Sequence, residues 1–230
     1  MHQYKFRPYL LGVVSLVVAF SGCGGGGGGG NNLPGACDTT TFAPNYADLS
    51  DLRHWPGFPL RVFLGPANQS TIDLTLRGFD QWVTATNGRV DYILVNNADS
   101  ADIVVSFGVN DGGSQLGLTT VTFRGNTLEK AEIDFFYVPA NQPGAARTNQ
   151  ITAAHEFGHA LGLGLHSPND NDIMAAVTDG TNTTVTNRDV NTLLTAYCNT
   201  FPQRLTTDRS TAPQSNEPLE TFTISHCRQH

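Results

Sequence analysis

The chain has 230 residues, of which 39% are hydrophobic and 14% charged, enough apolar material for one domain with a sizeable core. Asp and Glu outnumber Lys and Arg by 20 to 13, giving a formal net charge of -7. An acidic chain with no basic patch and no interleaving of basic with aromatic residues excludes nucleic acid as a partner.

The N-terminus carries an address. Lys5 and Arg7 precede an apolar run, Leu10–Phe20, that is too short to span a bilayer comfortably, and the small residues Ser21 and Gly22 precede Cys23. This is the pattern of a secretory signal. Its Ser-Gly-Cys ending resembles a bacterial lipoprotein leader, which implies cleavage after Gly22 and lipidation of Cys23. Phe20 is an unusual start for such a lipobox, so plain secretion is the alternative. Loss of Lys5 and Arg7 with the leader takes the formal charge from -7 to -9. Gly24–Gly30 is a run of seven glycines followed by Asn31 and Asn32. Such a run buries no apolar surface and serves as a flexible tether. The expected division is a signal peptide at 1–22, a lipidated cysteine and tether at 23–36, a folded domain at 37–200, and a polar tail at 201–230 packed on the domain. The expected location is outside the cytoplasm on a membrane, at the cell surface, in the periplasm or at the outer membrane.

Within the domain, Pro59–Gly65 alternates Leu60, Val62 and Leu64 and predicts a strand. Thr71–Asn87 sets Ile72, Leu76, Phe79 and Val83 at helical spacing and stops at Gly88. Val90–Val95 and Ala101–Phe107 are β-rich. Leu116–Arg124 and Glu129–Tyr137 predict two strands around a Gly125-Asn126 turn. Ala146–Leu163 predicts a helix. Asn187–Cys198 predicts a last helix with Val190, Leu193, Leu194 and Tyr197 on one face and Thr186 or Asn187 as N-cap. Residues 201–230 are rich in Thr, Ser, Pro and Gln and read as irregular. After Cys23, the cysteines are Cys37, Cys198 and Cys227. In an oxidising compartment these predict one disulfide. Cys198–Cys227 is the preferred pair, because it would pin the tail to the last helix; Cys37 with either partner stays open.

Residues 155–166 carry the chemistry: His-Glu-Phe-Gly-His-Ala-Leu-Gly-Leu-Gly-Leu-His. His155 and His159 stand at i and i+4, on one face of a helix. Glu156 beside them suits a general base for a metal-activated water. His166 is the candidate third ligand. On a continuous helix it would sit roughly 10 Å beyond His159 along the axis, out of reach of one metal. The helix must therefore end first, and Gly162 and Gly164 permit the turn. Three imidazoles and a water form an open, catalytic type of zinc site. Asp170 is an alternative third ligand, and Glu217 sits in a Pro-flanked tail unsuited to ligation. His54, His226 and His230 are isolated.

The segment His155-Glu156-Phe157-Gly158-His159-Ala160-Leu161-Gly162-Leu163, with His166-Ser167 after it, resembles the metzincin metallopeptidases, and among them the matrixins. The chain departs from their long motif by one residue: the regular third-histidine position falls on Leu165, and the histidine follows at His166, as if Gly164 absorbed a one-residue insertion. Asn171-Asp172-Ile173-Met174 lies at the distance of the family's Met-turn, although the Tyr that some members carry next is replaced by Ala175 and Ala176. The resemblance implies an α/β metzincin-like domain. Its mixed, twisted, five-stranded sheet would carry two long helices, one bearing the zinc motif, then a Met-turn and a C-terminal helix. It implies zinc held by His155, His159 and His166, Glu156 as general base, Met174 as an apolar floor, and Leu116–Arg124 as the edge strand that pairs antiparallel with an extended peptide. No histidine lies between His54 and His155, so a second, structural zinc is not expected. Calcium is conceivable at the Asp111-Gly112-Gly113 loop. Cys37 could imitate the family's zinc-covering propeptide cysteine, although no matching motif surrounds it. The implied activity is that of a monomeric zinc endopeptidase acting on protein or peptide substrates. The alternative is a lipid-anchored binding module with a structural zinc, a role in which Glu156 would be superfluous.

Overall fold

The computed structural model describes residues 44–110, 112–178, 182–198 and 217–229, with side chains from 225 onward left aside. The chain divides into two units, Met1–Asn32 and Leu33–His230, and every described residue belongs to the second. The signal peptide, the Cys23 lipidation site, the tether, Cys37 and the Asp111 calcium position all lie outside the described residues. Among the described residues, no helix is long and apolar enough to cross a membrane.

The elements follow as β1 (Leu60–Leu64), α1 (Gln69–Ala85), β2 (Tyr92–Leu94), β3 (Ile103–Val109), β4 (Gln115–Arg124), β5 (Thr127–Tyr137), α2 (Ala145–Ala160), β6 (Val177–Thr178), α3 (Asn187–Tyr197) and β7 (Leu219–Gln229). Local chemistry sets their ends. The Asn68 side chain accepts from the Thr71 amide and starts α1 two residues before the position expected from hydrophobic spacing. Gly88, at φ 73°, turns the chain after it. Thr186 and Asp189 form a reciprocal capping box at the start of α3. In β5, Ala131, Ile133 and Phe135 are buried while Glu132 and Asp134 are exposed, the alternation of a half-covered strand.

The α/β, metzincin-like architecture expected from the sequence is present, with a larger sheet. Seven strands run in the order β2-β1-β3-β5-β4-β7-β6. Strands β2, β1, β3 and β5 are mutually parallel, β4 is antiparallel to β5, β7 is antiparallel to β4, and β6 is parallel to β7. Two expectations are corrected. Leu116–Arg124 is not an edge strand, because β7 pairs along it from Arg124 to Gln115. Correspondingly, residues 219–229 of the tail are a strand rather than irregular. The tail's Thr and Ser residues suit a strand with one solvated face: Thr223 and Thr221 meet Thr120 and Thr122 of β4 on the outside, while Ile224 turns inward and is buried.

Helices α1 and α2 pack at Gly78, where a methyl group would meet Ala153 Cβ, the Ala154 nitrogen and the Gln150 oxygen at 2.7 Å. That closeness lets Phe79 stack on Phe157 with centroids 4.1 Å apart, and lets Trp82 donate its indole N–H to the Ala154 carbonyl at 2.7 Å. The histidine-bearing helix is thus clamped from behind, and every residue from Ile151 to Ala160 is buried.

Candidate metal centre and active site

Helix α2 presents His155 and His159 on one face, and the chain then reverses. The helix ends at Ala160; the Gly162 amide donates to the His159 carbonyl at 2.9 Å, and Gly162 adopts φ 118°, a conformation a side chain would resist. Gly162 and Gly164 also make room for the segment at Asp51–Arg53, since a Cβ at either would press into its backbone carbonyls. Gly164 therefore acts through close approach, and Gly162 alone supplies the positive φ. Leu165 points outward and is 43% exposed, while His166 returns to the helix.

The three imidazoles converge. Nε2 of His159 lies 3.0 Å from Nε2 of His155 and 3.3 Å from Nε2 of His166. Tetrahedral zinc with Zn–N bonds near 2.0–2.1 Å holds its nitrogens about 3.3 Å apart. The outer nitrogens fix the tautomers. Nδ1 of His155 faces the Ile173 carbonyl at 2.8 Å, and Nδ1 of His159 faces the Leu163 carbonyl at 2.6 Å. A carbonyl only accepts, so each Nδ1 donates its proton and each Nε2 turns a lone pair inward. Burial, reinforced by the neighbouring histidines, pulls the His155 pKa down to about 3 and that of His159 well below its usual value. Both rings are neutral at physiological pH, the form that ligates. Two lone pairs aimed at each other at 3.0 Å repel unless a cation lies between them, so the donor set fits a divalent metal. Among the described residues this is the one His, Cys, Asp and Glu group of metal-binding geometry. Asp170, the alternative third ligand, is exposed and stands apart from the cluster.

Glu156 is buried beside this cluster. Its carboxylate accepts from the Thr119 hydroxyl of β4 at 2.6 Å. It also packs so closely on Gly117 that a Cβ there would collide with Oε1 and Cγ. Burial pushes its pKa up to about 8, against the opposing pull of the Thr119 hydrogen bond. A cation between the histidines would draw that value back down.

Met174 is fully buried, and its sulfur lies where a Cβ on Gly158 would sit, directly beneath the turn that separates His155 from His159. The loop carrying it is held from below. Asp189 of α3 accepts from the Ile173 and Met174 amides, the Thr186 amide and hydroxyl, and the Tyr46 hydroxyl. Asp172 is buried, accepting from the Ser167 hydroxyl, paired with Arg188 at 3.0 Å, and set 2.8 Å from the Thr186 hydroxyl, which shares its one proton between Asp172 and Asp189. Cys198, at the end of α3, is disulfide-bonded, to a partner outside the described side chains.

Sequence reasoning named the three histidines, Glu156 and Met174, which the structure gathers into one place. It missed Thr119, Gly117, Asp172, Asp189 and the two carbonyls that orient the imidazoles. The pattern Thr186-x-x-Asp189 was a visible capping signal for one of them; the carbonyls carry no residue-type signal.

Two solved structures of myroilysin are similar to the chain. One is 20% identical and covers 48% of this chain and 52% of its own, with a TM-score of 0.33. The other is 14% identical and covers 84% of this chain and 91% of its own, also with a TM-score of 0.33. The chain thus spans about half the length of the first. No curated protein matches it. A family profile described as Matrixin matches residues 66–198, more than half of the chain. The chain belongs to the matrixin family of zinc metallopeptidases.

Proposed function

We propose that this matrixin is an endopeptidase that hydrolyses peptide bonds of extended protein segments, with His155, His159 and His166 holding zinc and Glu156 as general base. The observation that carries the reading is the convergence of three imidazoles, two of them pinned by backbone carbonyls, with their ligand atoms all within 4.8 Å of one another and a buried carboxylate on the residue after His155. Zinc held there would supply Lewis acidity toward a carbonyl oxygen and acidify a water near neutral pH. Glu156 is placed to take a proton from the attacking water and to hand it to the departing amine. Thr119 fixes the carboxylate so that Oε1 is left for the proton while Oε2 accepts from the hydroxyl. Gly117 leaves the space that the carboxylate needs. A retained general base is what a purely structural zinc site would not need. The leader and Cys23 support export of this peptidase as a lipid-anchored protein.

The test is metal analysis beside proteolysis. Purified chain should bind one zinc and cleave an unfolded protein such as casein. A chelator should abolish cleavage and added zinc restore it; zinc binding with no cleavage of any unfolded substrate would favour the binding-module reading.

Thr119→Val should lower kcat by about 10–100-fold with KM little changed, because a hydrogen bond to a charged group contributes about 1.5–3 kcal/mol. Thr119→Ser should recover most of the rate. Equal kcat values for all three forms would show that Thr119 only packs.

A further inference from the structure

Strand β7 lies where an external peptide would have to bind. It runs antiparallel to β4 and parallel to β6, so it lies between two segments, the first of which passes Glu156. Ile224 pairs with Thr119, whose hydroxyl holds the Glu156 carboxylate, and Cys227 pairs with Gly117, on which that carboxylate packs. Between these points the pairing is irregular: Ser225 sits opposite Leu118 and Cys227 opposite Gly117, leaving His226 as the extra residue of a bulge. The chain's own backbone thus loosens its ladder at the residues nearest the catalytic carboxylate. A pocket of about 220 Å³ is lined by Glu220, Phe222 and Ile224 of β7 together with His159, Gly162 and Leu165.

An extended peptide captured by a sheet needs an unpaired strand edge. The edge of β4 that passes Glu156 is filled by residues 219–228 of the same chain. Little apolar surface holds them in place: Ile224 is buried, but Leu219 and Phe222 are each about half exposed. We propose that β7 is a pseudosubstrate bound in cis, occupying the groove between β4 and β6 so that an external peptide enters only when β7 leaves. The term rests on the peptidase reading above; the occupancy of the groove does not. A segment tethered in this way competes at an effective concentration in the millimolar range, so its signature is a raised KM rather than a lowered kcat.

The experiment uses the full zinc-loaded chain and its Ile224→Asp variant, which would bury a carboxylate at the one buried apolar side chain described on β7 and so favours detachment of the strand. The variant's KM for a short unfolded peptide should fall at least about tenfold with kcat unchanged. A free 11-residue peptide of the Leu219–Gln229 sequence should then inhibit the variant competitively. A variant that unfolds as cooperatively as the parent yet keeps the parent's KM would overturn the proposal. Should the variant fail to fold, amide exchange in the unaltered chain decides. Saturating free peptide should strip protection from Leu219–Ile224, whereas failure of the peptide to bind, or binding that leaves β7 protected, refutes cis occupancy. If neither form cleaves any peptide but the exchange competition is seen, the peptidase reading fails and the occupancy stands.

Discussion

Glu156→Gln should leave the protein folded and zinc-loaded while kcat falls by about 10²–10⁴-fold, the range for loss of a positioned general base. The substitution keeps the side chain's size, so the tight contact with Gly117 is preserved, and the amide oxygen can still accept from Thr119. Only the capacity to take a proton is lost. Because burial penalises the carboxylate, a neutral amide should cost no stability. Zinc content, the unfolding midpoint and kcat measured on one preparation decide the matter. Unchanged content and midpoint with a collapsed rate assign the base to Glu156; a retained rate would move that role elsewhere.

His166→Ala should weaken zinc binding by more than about 100-fold, beyond the 10–100-fold typical of losing a residue that merely orients a ligand. Two imidazoles from α2 would remain, still pinned by Ile173 and Leu163, and cleavage should be lost at ordinary zinc concentrations. The departure of the chain from the long family motif makes a second comparison useful. Adding Leu165→His to His166→Ala should not restore binding, because position 165 faces solvent while 166 faces the helix. Competition with a fluorescent zinc chelator measures both variants. Full zinc retention in His166→Ala would sink the shifted-ligand assignment.

Much of the fold was legible because its signals are local. The spacing of apolar residues gave α1, the Gly125-Asn126 turn gave the β4–β5 hairpin, and the impossibility of ligation from a continuous helix forced the reversal after His159. Strand β7 was missed although Thr221-Phe222-Thr223-Ile224 alternates, because its pairing with β4 spans about a hundred residues of sequence and its polar composition resembled a loose tail. The expected edge strand failed for the same reason: whether an edge is free depends on what arrives from elsewhere in the chain. The site divides similarly. Ligands and base announce themselves by residue type, whereas Thr119 and Asp189 act from β4 and α3, whose approach to α2 exists only after folding.

The carbonyl partners of the histidines bear on how this site tolerates change. In many metal centres an aspartate or glutamate orients the imidazole, and one substitution removes it. Here the acceptors on His155 and His159 belong to the backbone at Ile173 and Leu163. No side-chain replacement at those positions deletes the acceptor. Point substitution can drift through both residues, limited only by packing, without detuning the metal ligands. The fragile changes are insertions and deletions between residues 160 and 175, which shift the register of the carbonyls themselves. Orientation of the ligands is therefore inherited with the course of the main chain, and sequence divergence alone is a poor guide to its loss.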